Sequence, residues 1–166
     1  MIHSNRRAFL GTAAAALTAG RLSFSASDKR PLRMGLIGCG WYGMIDLKAA
    51  FQAGGVEFIA LCDVDSEHLE SAAKETAPLQ GGRTPQTFKN YQDLLETPGL
   101  EAVIIATPPH WHALPFLASL AKGLDIYCEK PLAYDIREGR AMVDAAKKSG
   151  RIIQIGFQRR QSLAIR

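Results

Sequence analysis

Three glycines, Gly38, Gly40 and Gly43, follow a short apolar run from Met34 to Ile37, and Asp63 stands twenty residues past the last of them, closing a second apolar run. G-x-G-x-x-G with a downstream acid is the fingerprint of a dinucleotide-binding strand–helix–strand unit. Each position answers a separate chemical need. Gly38 permits a tight turn out of the strand, Gly40 lets a pyrophosphate approach backbone that carries no Cβ, and Gly43 lets the next helix pack close to the sheet. The helix start, with Trp41 and Tyr42 in it, offers free N–H groups and the positive end of the helix dipole to phosphates. Asp63 would accept hydrogen bonds from adenosine ribose hydroxyls and repel a 2′-phosphate, which favours NAD over NADP. The competing reading is a glycine turn of structural use only.

Three further clusters carry polar chemistry: Thr107-Pro108-Pro109-His110-Trp111-His112, Cys128-Glu129-Lys130-Pro131 and Gly156-Phe157-Gln158-Arg159-Arg160. Lys130 could be a solvated loop lysine, an ion-pair partner of Glu129, or a cation that stabilises a developing alkoxide. The peptide before Pro131 is a candidate for the cis form, which costs little before proline. His110 and His112 have metal-ligand spacing, but no other ligand lies near them in sequence and hydride transfer to a nicotinamide needs no metal. His112 reads instead as a helix-start residue near the cofactor, and Asp65 as a helix cap. Cys39, Cys62 and Cys128 match no metal or disulfide pattern and read as small buried residues.

To bring these clusters together the chain must alternate strand and helix, and its patterning does so from Lys29 onward. Strands are expected over Leu32 to Ile37, Val56 to Cys62, Thr84 to Asn90, Leu100 to Ala106, Leu124 to Cys128 and Ile152 to Ile155. Helices are expected over Trp41 to Ala53, from Asp65 or Ser66 to about Thr76, over Tyr91 to Glu96, His112 to Lys122, and from the Asp135 cap to Ser149. Pro78 and the Gly81-Gly82 pair are expected to end the second helix. The fold class is α/β: a doubly wound Rossmann fold with six parallel strands in the order 3-2-1-4-5-6. Every cluster then falls at a C-terminal strand end, along one crevice.

The motifs GLIGCGWYG, the acid at Asp63, ATPPHWHA (Ala106 to Ala113), CEKPLA (Cys128 to Ala133) and GFQRR (Gly156 to Arg160) resemble the Gfo/Idh/MocA superfamily of glucose–fructose oxidoreductase and inositol dehydrogenase relatives. The resemblance implies an NAD(P)-dependent oxidoreductase acting on a sugar or polyol hydroxyl. It implies Lys130 as the lysine reaching the reacting hydroxyl, with Glu129, Thr107 and Pro108 lining the cofactor and His112 near it. Some superfamily members are NAD-dependent glycoside hydrolases with the same motifs, and a non-catalytic nucleotide-binding module is a third reading. Members continue into a second α/β domain that supplies an acid–base histidine, a substrate wall and contacts for assembly. Here the chain ends at Arg166; His3 lies in the leader and His68 in a surface helix expected on the far side of the second strand. The expectation is therefore an N-terminal fragment that binds nucleotide without efficient turnover and without oligomerising.

The formal net charge of +4 comes largely from Arg6, Arg7 and Arg21, in a stretch of 27 residues without an acid; without them the rest carries about +1. That balance gives no nucleic-acid surface. Ser4-Asn5-Arg6-Arg7-Ala8-Phe9-Leu10, followed by an alanine-rich stretch, resembles a twin-arginine export signal and is too short and weakly apolar for a membrane span. The expected organisation is signal and linker over 1–30, NAD-binding domain over 31–156 and the start of a connection over 157–166, with a periplasmic or otherwise exported location.

Overall fold

The computed structural model describes residues 30–161; the expected export signal lies outside the described residues. Six strands, β1 (Leu32–Ile37), β2 (Val56–Cys62), β3 (Gln86–Phe88), β4 (Ala102–Ile105), β5 (Asp125–Cys128) and β6 (Ile153–Ile155), alternate with helices α1 (Trp41–Ala53), α2 (Ser66–Leu79), α3 (Tyr91–Leu95), α4 (Ala113–Ala121) and α5 (Ile136–Ser149). The strands form one all-parallel sheet in the order β3-β2-β1-β4-β5-β6. This is the doubly wound Rossmann arrangement the patterning predicts.

Alternation along each central strand divides the core in two. Ala102 and Ile104 of β4 pack with Leu47 of α1 and Leu69 and Ala72 of α2 on one face. Val103 and Ile105 pack with Leu94 and Leu95 of α3, Phe116 of α4 and Met142 of α5 on the other. Both faces of the sheet are covered, so β1, β2 and β4 read as near-continuous apolar runs.

Local signals set most boundaries. The Asp65 carboxylate accepts from the N–H groups of Glu67 (2.8 Å) and His68 (3.3 Å), and Asp135 accepts from Glu138 (2.8 Å), so α2 and α5 start at capping acids as expected.

Two expectations need correction. The second helix does not stop near Thr76 but runs through Pro78 to Leu79. The cause lies just beyond it. The buried Gln80 amide accepts from the Phe58 N–H and donates to the Phe58 carbonyl, both at 3.0 Å, pinning the helix end to β2. The third strand, expected over Thr84 to Asn90, is limited to Gln86–Phe88, and the same amide explains it. Only Ala60, Leu61 and Cys62 of β2 pair with it, because Gln80 takes the Phe58 backbone groups that a longer strand would use.

Candidate functional site

The C-terminal strand ends open onto a crevice of about 780 Å³. Of the residues singled out from sequence, Gly38, Gly40, Trp41, Tyr42, Cys62, Asp63, Asp65, Thr107, Pro108, His110 and Trp111 line it. The three glycines divide the work as their spacing suggests. At Gly38 φ is +96°, and a Cβ there would stand 2.7 Å from the Ala106 carbonyl. A Cβ on Gly43 would run into the Gly38 carbonyl oxygen, so glycine is required for α1 to sit against the turn. Gly40 differs: its φ of −67° suits any residue, and a Cβ there would meet nothing within 4 Å. The protein's own packing asks for no glycine at 40, but a ligand lying close to that backbone would.

Among the three longest helices, α2 and α5 carry capping aspartates while α1 starts at Gly40 without one. Its first N–H groups therefore have no side-chain acceptor from the cap and retain the positive end of the helix dipole. Asp63 is fixed beside them. One carboxylate oxygen accepts the Cys39 N–H at 2.7 Å and the other accepts the Asp65 N–H at 2.9 Å. A carboxylate has about four acceptor positions, so two remain for hydroxyl donors.

The opposite wall is held from behind by His112, which the sequence reading sets near the cofactor at a helix start. His112 does not line the crevice; it is 1% exposed behind it. Its ring bridges two loops, Nδ1 lying 2.7 Å from the Pro131 carbonyl oxygen and Nε2 2.8 Å from the Thr107 carbonyl oxygen. Both partners can only accept, so the two hydrogen bonds form together only when both ring nitrogens carry protons. His112 thus ties the Thr107 wall to the segment after Lys130. It precedes α4, which begins at Ala113 behind a single 3-10 turn at Pro109–Trp111.

Glu129 and Lys130 lie beyond the crevice lining, at the end of β5. Glu129 is buried and accepts from the Lys130 backbone N–H (3.1 Å), the Tyr127 hydroxyl (3.3 Å) and, closely, the Gln158 amide. A Cβ on Gly156 would strike Glu129, so that glycine makes room for the network. Burial, then the charges of Asp46 and Glu129, push the Tyr127 phenol above its ordinary range. The Lys130 ammonium extends over the Tyr42 ring, 5.9 Å from its centroid, which brings it to the glycine-turn side of the site. The Lys130–Pro131 peptide is cis.

Sequence reasoning missed part of the β2–β3 end of the crevice. Val64, Asp65, His68, Lys89, Asn90 and Tyr91 line it there. His68, expected away from the site, reaches it because the Asp65 cap turns the first turn of α2 over the strand end. The helix that carries it follows β2, three places from β5 in the strand order. The three cysteines are free and buried; burial pushes the Cys62 and Cys128 thiols up to about 12, and Cys39 is raised further.

Comparison with known proteins agrees with this geometry. Residues 32–157 match the family model described as "Oxidoreductase family, NAD-binding Rossmann fold". The chain is 32% identical over 131 residues to the inositol 2-dehydrogenase of Salmonella typhimurium, covering 78% of this chain and 38% of that one. Its fold superposes with a TM-score of 0.72 on the crystal structure of myo-inositol 2-dehydrogenase from Lactobacillus plantarum, at 32% identity and covering 80% of this chain and 38% of that one. The WlbA dehydrogenase of Bordetella pertussis, crystallised with NADH and UDP-GlcNAcA, superposes with a TM-score of 0.73 at 26% identity, covering 82% and 40%. The chain thus spans about 38% of the length of the curated relatives it matches. With the glycine turn, the pinned acid and the parallel sheet all inside the matched span, the chain belongs to the Gfo/Idh/MocA oxidoreductase family and carries its NAD-binding Rossmann fold.

Proposed function

We propose that this chain holds the nicotinamide dinucleotide of an oxidoreductase acting on a sugar or polyol hydroxyl, with NAD preferred to NADP. The observation that carries the reading is Gly40, open to the crevice at an uncapped helix start, beside an acid pinned by backbone N–H groups. The turn at Gly38 and Gly40 and the N–H groups of Trp41 and Tyr42 would hold the pyrophosphate. Asp63 would hold the adenosine ribose, and Thr107 and Pro108 would form the facing wall. The bound nicotinamide supplies hydride transfer. This chain's own contribution to the chemistry is Lys130, whose ammonium stabilises charge developing on the substrate oxygen and can exchange its proton. The names of the relatives support the substrate class, one being an inositol 2-dehydrogenase and another crystallised with NADH and UDP-GlcNAcA.

The test is fluorescence titration of the 166-residue chain with NADH and with NADPH. Saturable NADH binding, weaker NADPH binding and loss of affinity in Asp63→Ala are expected. Absence of NADH binding, or clearly tighter NADPH binding, overturns the corresponding part of the reading. Incubation with NAD and myo-inositol is expected to yield no sustained NADH production from this chain alone.

We also propose export by the twin-arginine route, supported by Arg6-Arg7 and the alanine-rich stretch after them. A reporter fused after residue 30 should be exported, and replacing both arginines by lysine should keep it in the cytoplasm.

A further inference from the structure

The nucleotide reading leaves three ring-bearing residues near the Lys130 loop without a role. His110 and Trp111 line the crevice together with Thr107 and Pro108, and Tyr134 stands four residues past Lys130. All three are exposed, Trp111 at 47% and Tyr134 at 73%. Large rings turned to water at the mouth of a pocket mark a binding surface, since packing would have buried them.

The backbone beneath the rings is fixed. The Trp111 N–H donates to the Pro108 carbonyl at 2.8 Å, and the Trp111 carbonyl accepts the Thr107 hydroxyl at 3.2 Å. The Tyr134 N–H donates to the Glu138 carboxylate, in the first turn of α5, at 3.2 Å. Two contacts join the loops that carry the rings. His112 spans the Thr107 and Pro131 carbonyls, and the His110 and Tyr134 rings meet edge to face with centroids 6.2 Å apart. The rim is therefore assembled before a ligand arrives, which lowers the ordering cost of binding. The loop that ends at Tyr134 begins at Lys130, whose ammonium extends over the ring of Tyr42, another crevice residue.

This set of groups selects a ligand chemistry. Aromatic faces carry partial negative charge and attract the weakly positive C–H bonds of a sugar ring, whose hydroxyls point out from the ring edge. A purely apolar ligand would leave the Lys130 cation unanswered, and an open-chain polyol has no flat C–H face to lay on the rings. We propose that His110, Trp111 and Tyr134 form a rim on which the C–H face of a six-membered sugar or cyclitol ring rests, so that the site takes cyclic substrates in preference to open-chain polyols. Which hydroxyl meets Lys130 rests on the function proposed above; the stacking contact does not.

The test is saturation-transfer NMR on the 166-residue chain without cofactor, irradiating the aromatic protons, with myo-inositol as the ring and sorbitol as its open-chain counterpart. The C–H protons of myo-inositol should gain a signal several-fold above that of sorbitol. Trp111→Ala and Tyr134→Ala should each reduce it several-fold, while Trp111→Phe and Tyr134→Phe, which keep a ring, should retain most of it. No myo-inositol signal, an equal sorbitol signal, or a signal that survives both alanine changes overturns the proposal. A signal lost as fully in the phenylalanine variants as in the alanine variants also overturns it, because the rings then serve the local structure and not a stacked ligand. NADH titration of the same proteins completes the test. If Trp111→Ala keeps the myo-inositol signal but loses NADH affinity, the ring belongs to the cofactor and its place in the rim is overturned. Failure of the wild type to bind NADH counts against the nucleotide reading alone, since the sugar measurements contain no cofactor.

Discussion

The Asp63 carboxylate accepts the Cys39 backbone N–H at 2.7 Å, so the acid after β2 and the glycine turn after β1 are joined before any ligand arrives. The same group thus fixes the turn and offers its remaining acceptor positions to the ribose. Replacing Asp63 by Ser should weaken NADH binding about 10- to 100-fold, the worth of hydrogen bonds to a charged group, and narrow or reverse the preference over NADPH. Parallel fluorescence titrations with the two nucleotides check this, and an unchanged NADH affinity would remove Asp63 from the site.

Gly40 and Gly43 should respond to alanine in opposite ways. Gly43→Ala sets a methyl group against the Gly38 carbonyl, and α1 must shift; a loss of about 1–3 kcal/mol is expected in urea unfolding. Gly40→Ala meets no protein atom and should change stability by less than about 1 kcal/mol while weakening NADH binding. If Gly40→Ala binds NADH as well as the wild type does, close backbone approach by the pyrophosphate is ruled out.

His112→Ala should be more damaging than its sequence position suggests. It leaves the buried bridge between the Thr107 and Pro131 carbonyls without donors, at a cost of about 2–4 kcal/mol. NADH affinity should fall as well, because the Thr107 wall loses its tie to the β5 loop. Unfolding curves and nucleotide titration of this variant separate the two effects.

Asp46 gives stability a definite pH dependence. Its carboxyl is raised from 3.8 to about 7 in the folded chain, so between those values the native state binds more protons than the unfolded state. Its contribution to stability is therefore fully present below about pH 4 and is lost as pH rises through about 7, a decline on the order of 2–4 kcal/mol. Asp46→Asn should flatten that part of the profile, which urea unfolding at a series of pH values would show. A wild-type curve that rises over this window from groups other than Asp46 should rise more steeply in the variant.

Much of this protein is determined locally and can be read from the chain. Five apolar runs, Asp65 and Asp135 as caps, and three glycines before an acid specify strands, helices and turn through interactions a few residues long. Right-handed crossovers between parallel strands then leave few sheet orders, and the observed one follows. What the tertiary structure decided lies where side chains meet across elements distant in sequence. Gln80 takes the Phe58 backbone groups and so sets the length of β3. His112 is held behind the crevice wall because the β4 and β5 loops offer it two carbonyls. Burial supplies the physical reason in each case. A polar side chain withdrawn from water must satisfy itself with whatever the fold sets beside it, and no spacing in the sequence records that neighbour.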